Sequence, residues 1–290
     1  MPTNFERAKQ VIDALVPVAE RLVPDGSVDD MVRRRLNSLS AAYQSGMLRA
    51  NREPVDYSKT TTHIAYVYRA LPAHADWLFK SLSRASLRVM KALPRGTVKV
   101  ACIGGGPGSD LLGVAKFALA ERLCDRRFKF FVLDRQAAWW RARSELVSTF
   151  DKELRIAEAF QELDLAAGPP WTPDNEYLQS DVFTFSFVLS EVWSFDRGGS
   201  VTGFLNHLVD GAKRGALFCY VDNGGPNFTP KAEAVFGARR DLELIETCND
   251  ERMLLSFDEQ CNVVENEYRE RFGQRPKLFG NVATRIWVKR

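Results

Sequence analysis

The chain has no apolar run approaching the roughly 18 residues that would span a bilayer. Its opening, MPTNFERAKQ, brings in charge too early for the apolar core of a secretory leader. Neither membrane insertion nor export is expected, and the compartment implied is cytoplasmic or nuclear. Cysteine is sparse: five residues, at positions 102, 124, 219, 248 and 261, odd in number and with no C-x-x-C. That argues against a disulfide framework and against a zinc site, so reduced thiols and no metal centre are expected. Internal repeats and low-complexity tracts are also missing, which excludes solenoids and compositionally disordered linkers.

What is present divides in two. The first 95 residues carry apolar residues at helical spacing. FERAKQVIDALVPVAERL (5–22) reads as a helix that Pro17 should kink or split, and Ser27 reads as the N-cap of a second helix over 27–48. TTTHIAYVYRALPAHADWLFKSLSRASLRVMKALP reads as two helices divided near Pro72. Residues 1–96 hold 15 Lys+Arg against 9 Asp+Glu, and the remainder 25 against 28, so this third is the basic part, with Arg33 to Arg35 and the Arg49–Arg52 stretch. A solvated helix face accounts for such a bias; a surface meeting phosphate is the sharper alternative, and RNA is the partner it would imply.

From Val98 onward short apolar runs alternate with longer amphipathic segments. VKVACI, FKFFVLD, AFQELD (159–164), DVFTFSFVLS (181–190), GALFCYVDN, RMLLSFD (252–258) and NVATRIWVK read as strands, with helices at 108–123, 136–152 and 200–213. Alternation of this kind implies a parallel sheet covered on both faces. The last two strands, separated by a Glu-rich segment, suit an antiparallel pair at one edge. Two regions are therefore expected, 1–95 helical and 96–290 α/β.

The first strand runs straight into Gly104, Gly105, Gly106, Pro107 and Gly108. Glycine supplies positive φ cheaply, lets a ligand approach bare backbone, and here opens a helix whose first N–H groups are unpaired. The dinucleotide pattern G-x-G-x-x-G places its third glycine on Ser109, a poor match, whereas G-x-G-x-G is filled by Gly104, Gly106 and Gly108. FFVLD ends in Asp134, a carboxylate suited to accept from both hydroxyls of a ribose.

On VACIGGGPGSDLLG, Asp134 and FVLSEVW, the sequence resembles the class I S-adenosylmethionine-dependent methyltransferases, among them fungal ribosomal-RNA uridine enzymes. The resemblance spans about residues 60–290. It implies a doubly wound, mostly parallel seven-stranded sheet with NVATRIWVKR as an inserted antiparallel strand, and S-adenosylmethionine as cofactor. It places Gly104 to Gly108 against the methionine end, Asp134 with Arg135 by the ribose, and Asp164 with Leu165 by the adenine. Ser190 and Glu191 then follow the fourth strand, near the transferred methyl. The family's acid two positions before the first glycine is Cys102 here, and Asp110 is the candidate to replace it. Glu191 and then Asp222 are the candidate bases, each equally readable as a structural acid. Tyr57, His63, Tyr66 and Arg69 are candidates for the acceptor side. No N-P-P-Y or D-P-P-Y follows the fourth strand, which disfavours an exocyclic-amine target. The function expected is methyl transfer, with RNA favoured over a small molecule or protein as acceptor. A sensor that binds the cofactor without transfer, and a nicotinamide oxidoreductase, are the competing readings.

Overall fold

The computed structural model describes residues 2–23, 27–45, 55–171, 174–196, 198–260 and 262–290. The Arg49–Arg52 stretch lies outside them.

Helix α1 (Asn4–Leu22) opens on a capping box that the sequence reading did not use. The Glu6 N–H donates to Thr3 Oγ1 at 3.1 Å, and the Thr3 N–H donates to Glu6 Oε2 at 2.6 Å. Pro17 does not split this helix. Val11, Ile12, Leu15 and Ala19 are fully buried along one side, and that burial outweighs the single backbone bond proline removes. Helix α2 (Val28–Ser45) begins as expected on Ser27, whose Oγ accepts the Asp30 N–H. Helices α3 (Thr60–Arg69), α4 (Leu71–Arg84) and α5 (Ser86–Ala92) follow, with Pro72 in the first turn of α4, where its missing N–H costs nothing.

The sheet is built from β1 (Thr97–Ile103), β2 (Arg127–Asp134), β3 (Arg155–Glu162), β4 (Val182–Ser186), β5 (Leu217–Asn223), β6 (Leu242–Leu254) and β7 (Phe279–Lys289). Its order is β3-β2-β1-β4-β5-β7-β6. Strands β1 to β5 are mutually parallel, and β7 runs antiparallel between β5 and β6. The helices that follow in the chain are α6 (Ser109–Ala120), α7 (Trp140–Ser148), α8 (Leu189–Val192), α9 (Ser200–Gly211), α10 (Thr229–Ala232) and α11 (Asn262–Phe272); α4 packs on β5, β6 and β7, and α11 packs on α1 and α2. The strand order reverses beside β1, so the carboxyl ends of β1 and β4 flank a crevice where such sheets bind ligands.

Period-two alternation divides the core. Val98, Val100, Cys102, Phe128 and Phe130 pack with α1 to α7 on one face. Ala101, Ile103, Phe131 and Leu133 pack with α9 on the other. Truncating Phe130 to alanine would cost about 3–5 kcal/mol. The first of these clusters takes residues from both 1–95 and 96–290, so the helices are continuous with the sheet's core.

Charge fastens the same contact. Lys116 on α6 reaches Glu259 at 2.6 Å and Asp76 on α4 at 3.1 Å. Asp76 also accepts the Ser256 N–H, and Glu259 accepts the Asn4 N–H. Burial works against the Lys116 charge, but Glu259 and Asp76 hold its pKa above the ordinary lysine value.

The segment read as two helices around Pro72 forms three, α7 is shorter than the expected 136–152, and three strand boundaries differ markedly from expectation. β3 starts at Arg155 and stops at Glu162, leaving Asp164 two residues beyond the strand. β4 stops at Ser186 because Phe187 adopts a left-handed φ of 58°, so Ser190 and Glu191 lie on α8 and not on the strand. β6 runs over Leu242–Leu254, ahead of the expected 252–258, its alternation broken by irregularities at Leu244/Glu246 and Cys248/Glu251.

Candidate active site

The glycine loop is made by its own conformation. Gly104, Gly106 and Gly108 have φ of 64°, 41° and 98°. A Cβ on Gly104 would run into Val188, and one on Gly108 would lie 2.9 Å from Leu146 Cδ2. The Gly104 N–H donates to the Leu133 carbonyl at 2.7 Å, and Arg143 Nη1 donates to the Gly106 carbonyl at 3.1 Å.

Asp134 does more than end β2. Its Oδ2 accepts the Gly106 N–H at 2.9 Å and its Oδ1 accepts the Gln136 N–H at 2.8 Å. One carboxylate therefore pins the loop after β1 to the loop after β2. Burial raises its pKa in spite of those two bonds. Asp110, in the first turn of α6, is fully enclosed and accepts from Ser186 Oγ at 2.5 Å. Burial, opposed by the Ser186 and Thr184 hydroxyls, pushes its pKa up to about 6. The Cys102 thiol lies in the core beneath the loop, its pKa raised by burial and then by Asp110, so it stays protonated.

These groups floor a cavity of about 360 Å³ at the carboxyl edge of the sheet. Gly104, Gly105, Gly106 and Pro107 line it, with Asp110, Asp134 and Arg135 beside them. Asp164 and Leu165 close one side, Asp164 accepting the Ala166 N–H at 3.0 Å in a tight turn. Glu191 on α8 and the rings of Tyr57 and Tyr66 close the other.

Five of the expected residues stand outside this lining. Gly108 sits behind it as the N-cap of α6. Ser190 and Asp222 lie beneath, where Asp222 accepts the Ser190 N–H at 2.8 Å and its own neighbour's N–H, from Asn223, at 2.7 Å. Burial pushes the Asp222 pKa up to about 6. That carboxylate ties β5 to α8. His63 is buried, its Nε2 2.5 Å from the Tyr57 carbonyl and its ring stacked 4.2 Å from Trp139. Burial lowers its pKa, so it serves as a neutral prop behind Tyr57. Arg69 lines a neighbouring cavity of about 440 Å³, which shares Tyr66 and Phe187 with the first.

Sequence reasoning passed over Trp139 and Phe187 as site residues, yet both line the first cavity. Trp139 contacts Tyr57, His63 and Tyr66, while its neighbour Trp140 is 58% exposed. No sequence signal marks the left-handed backbone of Phe187. Among the described residues, no three His, Cys, Asp or Glu side chains are grouped to hold a metal ion, and no helix is long and apolar enough to cross a membrane.

With a reversal beside β1, a glycine loop there and an antiparallel β7, the architecture matches what the sequence implied. The fold is class I methyltransferase-like. No family model matches the sequence, and no curated protein does. Solved structures similar to this chain include PH1948 from Pyrococcus horikoshii, described as an inferred RNA methyltransferase, at 11% identity over 88% of this chain and 98% of that one, TM-score 0.44. TehB from Haemophilus influenzae is 16% identical over 75% of this chain and 67% of that one, TM-score 0.41. A precorrin-6y C5,15-methyltransferase from Geobacter metallireducens is 12% identical over 72% and 89%, TM-score 0.39. At such identities and TM-scores these neighbours assign no role to any residue of this chain.

Proposed function

We propose that this chain is an S-adenosylmethionine-dependent methyltransferase. The observation that carries this reading is the cavity over the glycine loop, in which Asp110, Asp134, Asp164 and Glu191 converge from four different strand–helix junctions. The residues fit the cofactor. The bare backbone of Gly104 to Pro107 accepts close approach of its amino-acid tail, and Asp110 offers a carboxylate to the ammonium of that tail. Each Asp134 oxygen uses one lone pair on a backbone N–H and keeps capacity for a ribose hydroxyl. Leu165 offers an apolar face, and Asp164 an acceptor, to the adenine.

When bound, the cofactor supplies an electrophilic methyl on a sulfonium. The protein's part is alignment and exclusion of water, which Tyr57, Tyr66 and Phe187 provide from above the sheet. Glu191 orients the acceptor, or takes its proton where one must leave. Asp222, with both oxygens engaged by backbone N–H groups, acts by fixing α8. The helices of 1–95 form the acceptor side.

RNA as acceptor, suggested by the basic N-terminal third, draws on α2. Of its arginine run, Arg33 is engaged with Asp30 at 2.8 Å and with the Arg271 carbonyl at 2.9 Å.

The test is tritiated-methyl transfer from labelled cofactor into fractionated RNA, protein and metabolites, alongside calorimetry with S-adenosylhomocysteine and NAD. Methyl incorporation with selective S-adenosylhomocysteine binding is expected. Binding without incorporation into any fraction would favour a sensor, and NAD binding alone would overturn the reading.

A further inference from the structure

The second cavity lies against the first, and its chemistry is opposite in sign. Arg69 from the end of α3, with Arg275 and Lys277 from the connection into β7, put three cations on its wall, and among the described residues no carboxylate lines it. Among the described residues, the Lys277 ammonium meets no carboxylate at salt-bridge distance. It sits 4.8 Å from the Trp77 ring centre and 4.6 Å from that of Phe187. A cation held over ring faces, without a counter-ion in contact, is poised for an anion that comes from outside the chain.

His74 adds a polar group to the same wall. Its ring is 94% buried and stacked on Phe187 at 3.8 Å, and its Nδ1 has no hydrogen-bond partner. Buried polar atoms are normally paired, so one left open in a cavity wall asks for a ligand atom. Phe187, between the two chambers, is held at φ 58° by its N–H bond to the Val221 carbonyl at 2.8 Å. A bulky residue kept in left-handed backbone is strained. Such strain collects where a side chain must be aimed, and here it aims a ring at the partition between the cavities.

We propose that this second cavity is the methyl-acceptor site, and that it takes a small planar molecule bearing a carboxylate or phosphate, its anion against Arg69, Arg275 and Lys277 and its ring against Phe187 and Tyr66. The proposal rests on the methyl-transfer reading, because it places the acceptor next to the cofactor across their shared wall. A cavity of about 440 Å³ has the size of a small-molecule site, whereas a nucleic-acid strand would need an extended basic track. Lys277 supports the assignment: burial first, then the neighbouring Arg69, lower its pKa to about 8 against the pull of Asp222. That is the response of a buried cation that Asp222 compensates only from a distance, with no carboxylate in contact among the described residues.

The test is titration of the full chain, with and without saturating S-adenosylhomocysteine, using benzoate and phenyl phosphate as anionic probes and benzamide as the neutral control. Wild type is expected to bind at least one anionic probe at least 10-fold more tightly than benzamide, and the tighter of the two identifies carboxylate or phosphate. Arg275→Ala and Lys277→Met should each weaken that probe by 5-fold or more while changing S-adenosylhomocysteine affinity by less than 2-fold, which also shows that the variants fold. Equal binding of benzamide, or probe affinity indifferent to both substitutions, would overturn the proposal. So would displacement of the probe by a single-stranded RNA oligomer whose own affinity depends on Arg275 and Lys277. Failure of S-adenosylhomocysteine to bind would instead defeat the methyl-transfer reading, and with it the acceptor role, while the probe titration reports on the anion cavity separately.

Discussion

The two cavities share Tyr66 and Phe187 and differ in almost everything else. The first gathers Asp110, Asp134, Asp164 and Glu191 with, among the described residues, the single cation Arg135. The second gathers Arg69, Arg275 and Lys277, with no acid in its lining among the described residues. The first is built by the ends of parallel strands and by one glycine loop. The second is built by α3, α4 and the segment entering β7. Opposite charge in adjoining chambers selects two ligands of opposite character and discourages either from entering the other's place. The proposed cofactor brings a sulfonium and an ammonium to the acidic side, and the proposed acceptor brings an anion to the basic side.

The contrast breaks most readily at Asp134. Replacing Asp134 by Ala removes the acceptor shared by the Gly106 and Gln136 N–H groups as well as the proposed ribose contact. Calorimetry should show S-adenosylhomocysteine affinity reduced by about 100-fold, the scale of losing two charge-assisted hydrogen bonds. Parent-like affinity in Asp134→Ala would contradict the ribose assignment. Glu191→Gln is expected to act on the other side of the partition. Cofactor affinity should change by less than about 2-fold, while kcat falls by about 30-fold, somewhat below the roughly 100-fold at which the contribution of a positioned base usually begins, because Glu191 also orients the acceptor. An unchanged kcat would leave Glu191 as a capping acid.

A smaller effect should come with pH. The Asp110 pKa lies at about 6 without a ligand, so its carboxylate is charged above that value and neutral below it. The proposed pairing with the cofactor's ammonium is present at pH 7.5 and fades as pH falls through about 6. S-adenosylhomocysteine affinity should then drop by about 10-fold by pH 5, equivalent to roughly 1.4 kcal/mol. In Asp110→Asn the profile should be flat across that window, and a parallel profile would assign the dependence to another group. The smallest expected effect sharpens the acceptor question. Arg34 is exposed on α2 and outside both cavities. Arg34→Glu should alter binding of benzoate or phenyl phosphate by less than about 2-fold, whereas a steep change in salt-dependent RNA retention would return the acceptor to nucleic acid.

The sequence was most legible where backbone geometry needs a particular residue. Gly104, Gly106 and Gly108 each hold positive φ, so the loop was readable from composition. Strand-end acids such as Asp134 follow from the parallel pattern once that loop is placed. The inserted β7 came from the resemblance, not from periodicity. Legibility failed where tertiary packing decides. A helix with a buried apolar side overrode Pro17, and bulges blurred the period of β6. Ser190 and Asp222 looked equivalent to their neighbours along the chain, but lie beneath the floor: Ser190 because the chain turns at the left-handed Phe187 just after β4, and Asp222 because it accepts the Ser190 N–H. The second cavity has no local signature, since Arg69, His74 and Lys277 come together only when the connection into β7 crosses α3, where the Lys277 N–H meets the Arg69 carbonyl at 2.9 Å.

The order β5-β7-β6 has a consequence for the chain as it is made. Among the described residues strand β6 pairs only with β7, yet it leaves the ribosome first. Until the last strand arrives, a 13-residue segment carrying Leu244 and Leu254 has both flanks open, and the edge of β5 waits with it. Nascent molecules should therefore pass through a stage vulnerable to pairing between neighbours on a polysome, and the closing step is one that a holding chaperone would assist.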